Sequence, residues 1–210
     1  MIFGDVVRSR TDAPAATAWL RTLAAELEAA IPAADRLADF EFTQGDELQG
    51  LLRPGIDPFP AVLRAGLHPD GRPMRWVVVA GEVDEGRGPA TQRTGPAFLR
   101  ARERLTEASA RRDGLAVESG HPPTDALLDD IAPLLVELID DLTERQRVIA
   151  RLLLVDGLRR SEAAVALDVS RATVSVAADR AHVRSIGRLA DALARLLADG
   201  AALAPAGQGS

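Results

Sequence analysis

The sequence changes its periodicity once, after Ser119, and this limits the chain to a mixed α/β segment followed by an all-helical one. Before that point, short β-branched runs alternate with amphipathic stretches. "IFGDVV" (2–7) is apolar and short enough for a buried strand. In "APAATAWLRTLAAELEAAI" (13–31), Trp19, Leu20, Leu23, Leu27 and Ile31 recur at helical spacing, and Asp12 and Pro14 mark the start. "DFEFTQG" (39–45) alternates Phe40 and Phe42 with polar residues, and "ELQGLL" (47–52) returns from it, so residues 43–47 read as a hairpin tip. A helix with proline near its start follows at 57–68, then the strand "MRWVVVAGEV" (74–83) and a Gly/Pro-rich loop at 85–95. A helix at 96–112 and a strand at 115–119 complete the order β-α-β-β-α-β-α-β. A hairpin set among α/β crossovers predicts a ferredoxin-like sheet with its helices on one face.

From Thr124 onward no strand pattern survives, and the fold class expected for the whole chain is α+β. The expected units are residues 1–120 (sheet), 121–141 (connector helix), 142–198 (helical) and a disordered tail at 199–210. The connector carries Leu127, Ile131, Leu134, Leu138 and Leu142 on one stripe, either packed on the sheet unit or forming a dimer seam. Pro133 favours packing over a straight coiled coil.

Composition narrows the class further. Apolar residues make up 47% and charged residues 27%, the balance of a globular chain. There are no cysteines, which excludes disulfides and thiolate metal sites. Asp5 and Arg8 interrupt the start, so it does not read as a signal peptide. No uncharged apolar run nears the roughly 18 residues of a membrane span. A cytoplasmic protein with no membrane partner is expected. Lys, Asn and Tyr are all absent. Their codons are AT-rich, which suggests a GC-rich bacterial genome. Residues 1–141 hold 15 Arg against 24 Asp and Glu, a charge of −9, whereas residues 142–210 hold 10 against 7, a charge of +3. A sensing unit joined to a nucleic-acid-binding one has this asymmetry.

The stretch "LTERQRVIARLLLVDGLRRSEAAVALDVSRATVSVAADRAHVRSI" (142–186) is the most specific part of the chain. Thr143 and Gln146 form a capping box, and Gly157 stands where a helix would end. Ser161 and Ser170 are candidate caps for two further helices. Ala164 is small where two helices cross. Asp168, four residues on, falls at a turn position that favours a left-handed backbone, and Val174 plugs the space between the helices. This is helix-turn-helix spacing.

The same residues resemble the last DNA-binding region of sigma factors and the LuxR-type regulators, with Asp168 replacing the usual turn glycine. That resemblance implies that Ser170, Arg171, Thr173, Ser175 and Arg180 face double-stranded DNA, with Arg171 and Thr173 nearest the base edges. Arg159 and Arg160 would touch phosphates.

In the front segment, Asp5 on the first strand and Asp46 on the hairpin tip fall at one sheet edge. Such a pair suits Mg²⁺, with phosphate oxygens completing its shell. Arg8, Arg10 and Glu47 are the adjoining candidates for ligand or phosphate binding. "FGDVV" and "QGDEL" resemble the metal-binding strand and hairpin of class III and diguanylate nucleotide cyclases, and "TGPAFLRARERL" (94–105) resembles a later class III helix. The Asn and Lys that those enzymes use are missing, and Leu99 stands near the expected Asn. The resemblance therefore leaves two readings, a nucleotide or metal site without turnover and an acidic pair that serves only the turn geometry, and no catalytic residues are assigned. "GDVVRSR", "QGDELQGLL" and "GPAFLRARE", with the appended helix-turn-helix, resemble the SatD family across nearly the whole chain. The expected function is a bacterial DNA-binding transcriptional regulator whose front unit senses a ligand or dimerises. The alternatives are a Mg-dependent nucleotidyl cyclase-type enzyme and an adaptor contacting a protein such as RNA polymerase. Two-fold DNA half-sites make a homodimer the expected assembly. Leu189, Leu193, Leu196 and Leu197 on a last helix (188–198) are its candidate seam.

Overall fold

The computed structural model describes residues 1–7, 12–42 and 46–205. Five strands form one sheet: β1 (Ile2–Val6), β2 (Arg36–Phe42), β3 (Glu47–Leu52), β4 (Met74–Val79) and β5 (Leu115–Glu118), in the order β2-β3-β1-β4-β5. β1 is central and antiparallel to both β3 and β4. β2 runs antiparallel to β3, and β4 and β5 are parallel. The helices among the described residues are α1 (Ala13–Ala30), α2 (Phe59–Gly66), α3 (Pro96–Arg111), α4 (Pro122–Asp140), α5 (Glu144–Leu154), α6 (Arg160–Ala166), α7 (Arg171–Arg180) and α8 (Val183–Leu203). The chain is thus mixed α and β. Among the described residues no helix is long and apolar enough to cross a membrane.

Alternation along the strands decides which helix covers which face. Ile2, Val6, Trp76 and Val78 point to a core shared with α1 and α2, where Leu20, Leu23 and Leu27 are fully buried. Each such leucine contributes about 1.5–3 kcal/mol of burial. Asp12 Oδ1 accepts the Ala15 N–H at 3.4 Å and opens α1. Phe3, Val77 and Val79 point the other way, onto Ala97, Ala101 and Ala108 of α3. The expectation of helices on one face is therefore corrected, because α3 covers the second face. A parallel β4–β5 pair requires a crossover segment. The first face is already occupied by α1 and α2, and the alanine stripe of α3 fits closely over the other.

Four further boundaries differ from expectation. Glu47 is the first residue of β3 rather than part of a hairpin tip, paired with Asp5 on β1. Of the other tip residues, Asp46 lies in a bend just before β3, and 43–45 lie outside the described residues. Ser161 does not cap α6: Arg159 holds that position, and its N–H is taken by Glu162 Oε2 at 2.7 Å. On α4, the buried face is Leu128, Ala132, Leu135 and Ile139, one residue on from the predicted stripe, while Leu127 and Leu134 are 54% and 45% exposed. The leucine pairs 127/128 and 134/135 offer two stripes, and contact with β5 and α8 selects the second. Finally, α8 runs to Leu203, so residues 199–203 are helical rather than disordered. Residues 206–210 of the predicted tail lie outside the described residues.

The helical segment and the sheet share one continuous apolar core. Leu193 and Leu197 of α8 are buried within the chain, and α8 packs on α4. The proposed dimer seam on α8 is therefore used internally. Gly200 lies against the start of α4: a Cβ there would fall 2.6 Å from Ser119 Cβ and 2.9 Å from Thr124 Cγ2. A polar tie elsewhere joins α1 and the end of α2 to α5. Glu26 of α1 meets His68 Nε2 at 3.0 Å and Arg151 Nη2 of α5 at 3.1 Å. Arg151 Nη1 donates to the Arg64 carbonyl at 3.2 Å, and Arg147 donates to the Gly66 carbonyl.

Candidate functional site

The candidate residues fall into two groups on different elements. The first is built on α5, α6 and α7. Thr143 and Gln146 cap α5 reciprocally: Thr143 Oγ1 accepts the Gln146 N–H at 3.4 Å, and Gln146 Oε1 accepts the Thr143 N–H at 2.9 Å. Between α6 and α7 the chain turns at Asp168, whose φ of 50° is left-handed, and the Val169 N–H reaches the Ala164 carbonyl at 3.0 Å. Aspartate tolerates that conformation better than most side chains. Val174, Ala163 and Ala164 are buried where the helices cross.

α7 presents Arg171, Thr173 and Arg180 to solvent, with Ser175 half-buried. Among the described residues, Arg171 and Arg180 make no ion pair, which leaves their guanidinium groups uncommitted. Ser170 is committed instead: its Oγ accepts the Thr173 N–H at 3.0 Å and caps α7. Arg159 pairs with Glu162, and Arg160 Nη2 lies 2.8 Å from Asp179 Oδ1. Leu153, Leu158 and Val183 floor a shallow groove whose rim carries Arg159, Arg160, Arg171 and Arg184. Arg184 also lines this groove; it stands near the end of the motif, past the third helix, where the sequence reading assigned it no role, and it reaches the groove through the turn into α8.

The second group lies at the end of β1. In register, Asp5 stands between Glu47 of β3 and Arg75 of β4. Arg75 Nη1 is 3.6 Å from Asp5 Oδ2, and its Nε donates to the Asp113 carbonyl at 3.2 Å. The Asp46 carbonyl accepts the Val6 N–H at 2.9 Å, which holds Asp46 beside the strand end. Burial first, then the charge of Asp46, push the Asp5 carboxyl up to about 6. Arg75 draws it down, and Glu47 adds to the rise. Arg8 and Arg10 lie outside the described residues. Arg75 is the residue that sequence reading missed, since only the strand order sets it beside Asp5.

The carboxylate oxygens of Asp5 and Asp46 are the donor type a hard cation takes, and Arg75, 3.6 Å from Asp5 Oδ2, already offsets part of their charge. Among the described residues no three His, Asp or Glu side chains converge to hold a metal. Such an ion would need water or phosphate for the rest of its shell.

The raised Asp5 carboxyl has a consequence for stability. The folded chain keeps this proton up to about pH 6, and the unfolded chain releases it near 3.8. Between those values the folded state binds more protons, so stability falls as pH rises through the window. Asp5→Asn removes that loss. After allowance for solvent screening of a partly exposed carboxylate, the variant is expected to be more stable than wild type at pH 7.5 by about 1 kcal/mol. The advantage should vanish near pH 4. Thermal unfolding without divalent cations, at both pH values, measures the difference; an equal offset at both would refute it.

No protein-family model, curated protein or solved structure matches the chain. Its functional reading therefore rests on its own residues.

Proposed function

We propose that the protein is a bacterial DNA-binding transcriptional regulator in which α6 and α7 form a helix-turn-helix and α7 is the reader. The carrying observation is the exposed α7 surface of Arg171, Thr173 and Arg180 behind a left-handed Asp168 turn, next to the arginine-rimmed groove. Helix-turn-helix readers contact base edges from the N-terminal part of this helix. The α5 caps and buried Val174 support the same reading. In the front unit, the antiparallel order β2-β3-β1-β4, with α1 and α2 on one face, supports a ferredoxin-like, cyclase-like sheet to which β5 is added. Kinship with the SatD family belongs to the same proposal. A homodimer would use the outward Leu127 and Leu134 of α4, because the α8 stripe is occupied.

The expected result is binding to duplex DNA that weakens steeply with salt. At the preferred sequence Arg171→Ala should cost about 1–3 kcal/mol and relax base preference, whereas Arg160→Ala should weaken all duplexes alike. Fluorescence anisotropy against a randomised duplex pool, followed by selected sites, reads both. Salt-independent association, or no effect of Arg171→Ala on any sequence, would favour the protein-adaptor reading.

A second reading concerns the front unit. The raised Asp5 carboxyl beside Asp46 and Glu47 favours a magnesium–nucleotide site, with Asp5 and Asp46 holding the ion and the ion neutralising phosphate charge. Arg75 would orient Asp5.

A further inference from the structure

At the end of the sheet opposite Asp5, the start of β1 and the C-terminal ends of β3 and β4 face α8 across a cavity of about 500 Å³. This lies within the range of small-molecule sites. The walls are aliphatic: Ile2, Leu51, Ile56 and Val79 from the sheet side, and Leu197 from α8. Three charged side chains line the cavity: Arg53, Asp57 and Arg195.

Asp57 is already used, since its Oδ1 accepts the Phe59 N–H at 2.9 Å and fixes the start of α2. Among the described residues Arg53 spends only Nε, on the Ala34 carbonyl at 2.8 Å, which holds the side chain and leaves both terminal nitrogens as donors. Arg195 is exposed on α8 and makes no hydrogen bond or ion pair among the described residues. An aliphatic chamber bordered by two guanidinium groups matches an anion with an apolar body. Burial drives the body in, and a guanidinium fork meets a carboxylate with two parallel hydrogen bonds.

We propose that the cavity between the sheet and α8 is a binding site for a small organic acid with an apolar body, its carboxylate held by Arg53 and Arg195. The site lies away from α7, and its test needs no DNA.

Isothermal titration of the full chain with decanoate, and separately with decan-1-ol, tests the assignment. Decanoate is expected to bind saturably at one site per chain and more tightly than the alcohol. The double variant Arg53→Gln, Arg195→Gln should weaken decanoate by ~10-fold or more and leave decan-1-ol unchanged. Ala198→Trp, at an exposed position on the cavity wall, should weaken both without unfolding the chain, as judged by circular dichroism. Absence of saturable decanoate binding would overturn the site, as would decanoate affinity unaffected by Ala198→Trp. Equal affinity for acid and alcohol, or indifference to the double arginine change, would overturn the carboxylate assignment.

Discussion

Gly200→Leu is expected to lower the melting temperature of the full chain by roughly 2–12 °C. The loss arises where α8 meets the start of α4. A Cβ at this position collides with Ser119 and Thr124, and Ser119 is held in place. Its N–H and Oγ both donate to Asp125 Oδ1 at 2.7 Å, and it is 1% exposed. Either the helices separate, at the overpacking cost of about 1–3 kcal/mol, or Ser119 moves and forfeits hydrogen bonds worth about 1 kcal/mol each. Ala202→Leu, two residues on and exposed, is the matched control and should shift the transition by about 1–2 °C at most. Differential scanning calorimetry of both variants decides it. A Gly200→Leu transition at the wild-type temperature would mean that α8 does not lie against this corner.

Glu26→Ala should destabilise the chain by about 2 kcal/mol at neutral pH, between the values for exposed and fully buried ion pairs. Burial alone would push the Glu26 carboxyl up. The hydrogen bond and charge of Arg151, with those of His68, outweigh it and hold the group below its ordinary 4.5. A depressed carboxyl stabilises the fold above its unfolded value and loses that contribution as the pH falls through its folded one. The gap between wild type and Glu26→Ala should thus be full above pH 4.5 and narrow in more acidic buffer. Urea unfolding at pH 7 and in acid measures both ends. A gap that stays constant would assign the loss to packing rather than to charge.

The parts of this molecule that were legible in the sequence are those whose determinants lie within a few residues of each other. The Thr143–Gln146 box and the Ser170 cap are three-residue relations, and the helix starts follow from them. The nearness of Asp5 to Asp46 follows from placing the first strand beside the hairpin, whereas the pairing of Asp5 with Glu47 depends on the register of β1 on β3. Arg75 was not legible, because its approach to Asp5 depends on β4 lying on the other side of β1. Nor was the Glu26–His68–Arg151 tie, which joins residues 42 and 125 positions apart. The buried face of α4 was misread by one residue because adjacent leucines satisfy two helical stripes equally. The end of α8 was misplaced for a different reason. The tail offers no core-forming pattern of its own, yet the missing side chain at Gly200 admits the start of α4, and packing carries the helix on to Leu203.

α8 has a further consequence through its length. It begins one residue past His182, whose left-handed φ of 51° forms the corner after α7, and runs 21 residues to Leu203. At about 1.5 Å per residue this is a rod of roughly 30 Å, with the arginine groove near one end and Gly200 near the other. Each residue added or removed along it rotates the far end by about 100°. Gly200 would then face solvent, and a bulkier neighbour would meet Ser119. Length variation in α8 is thereby quantised in phase. Insertions of about seven residues, two full turns, return Gly200 to its original azimuth, and shorter ones force the two ends out of alignment.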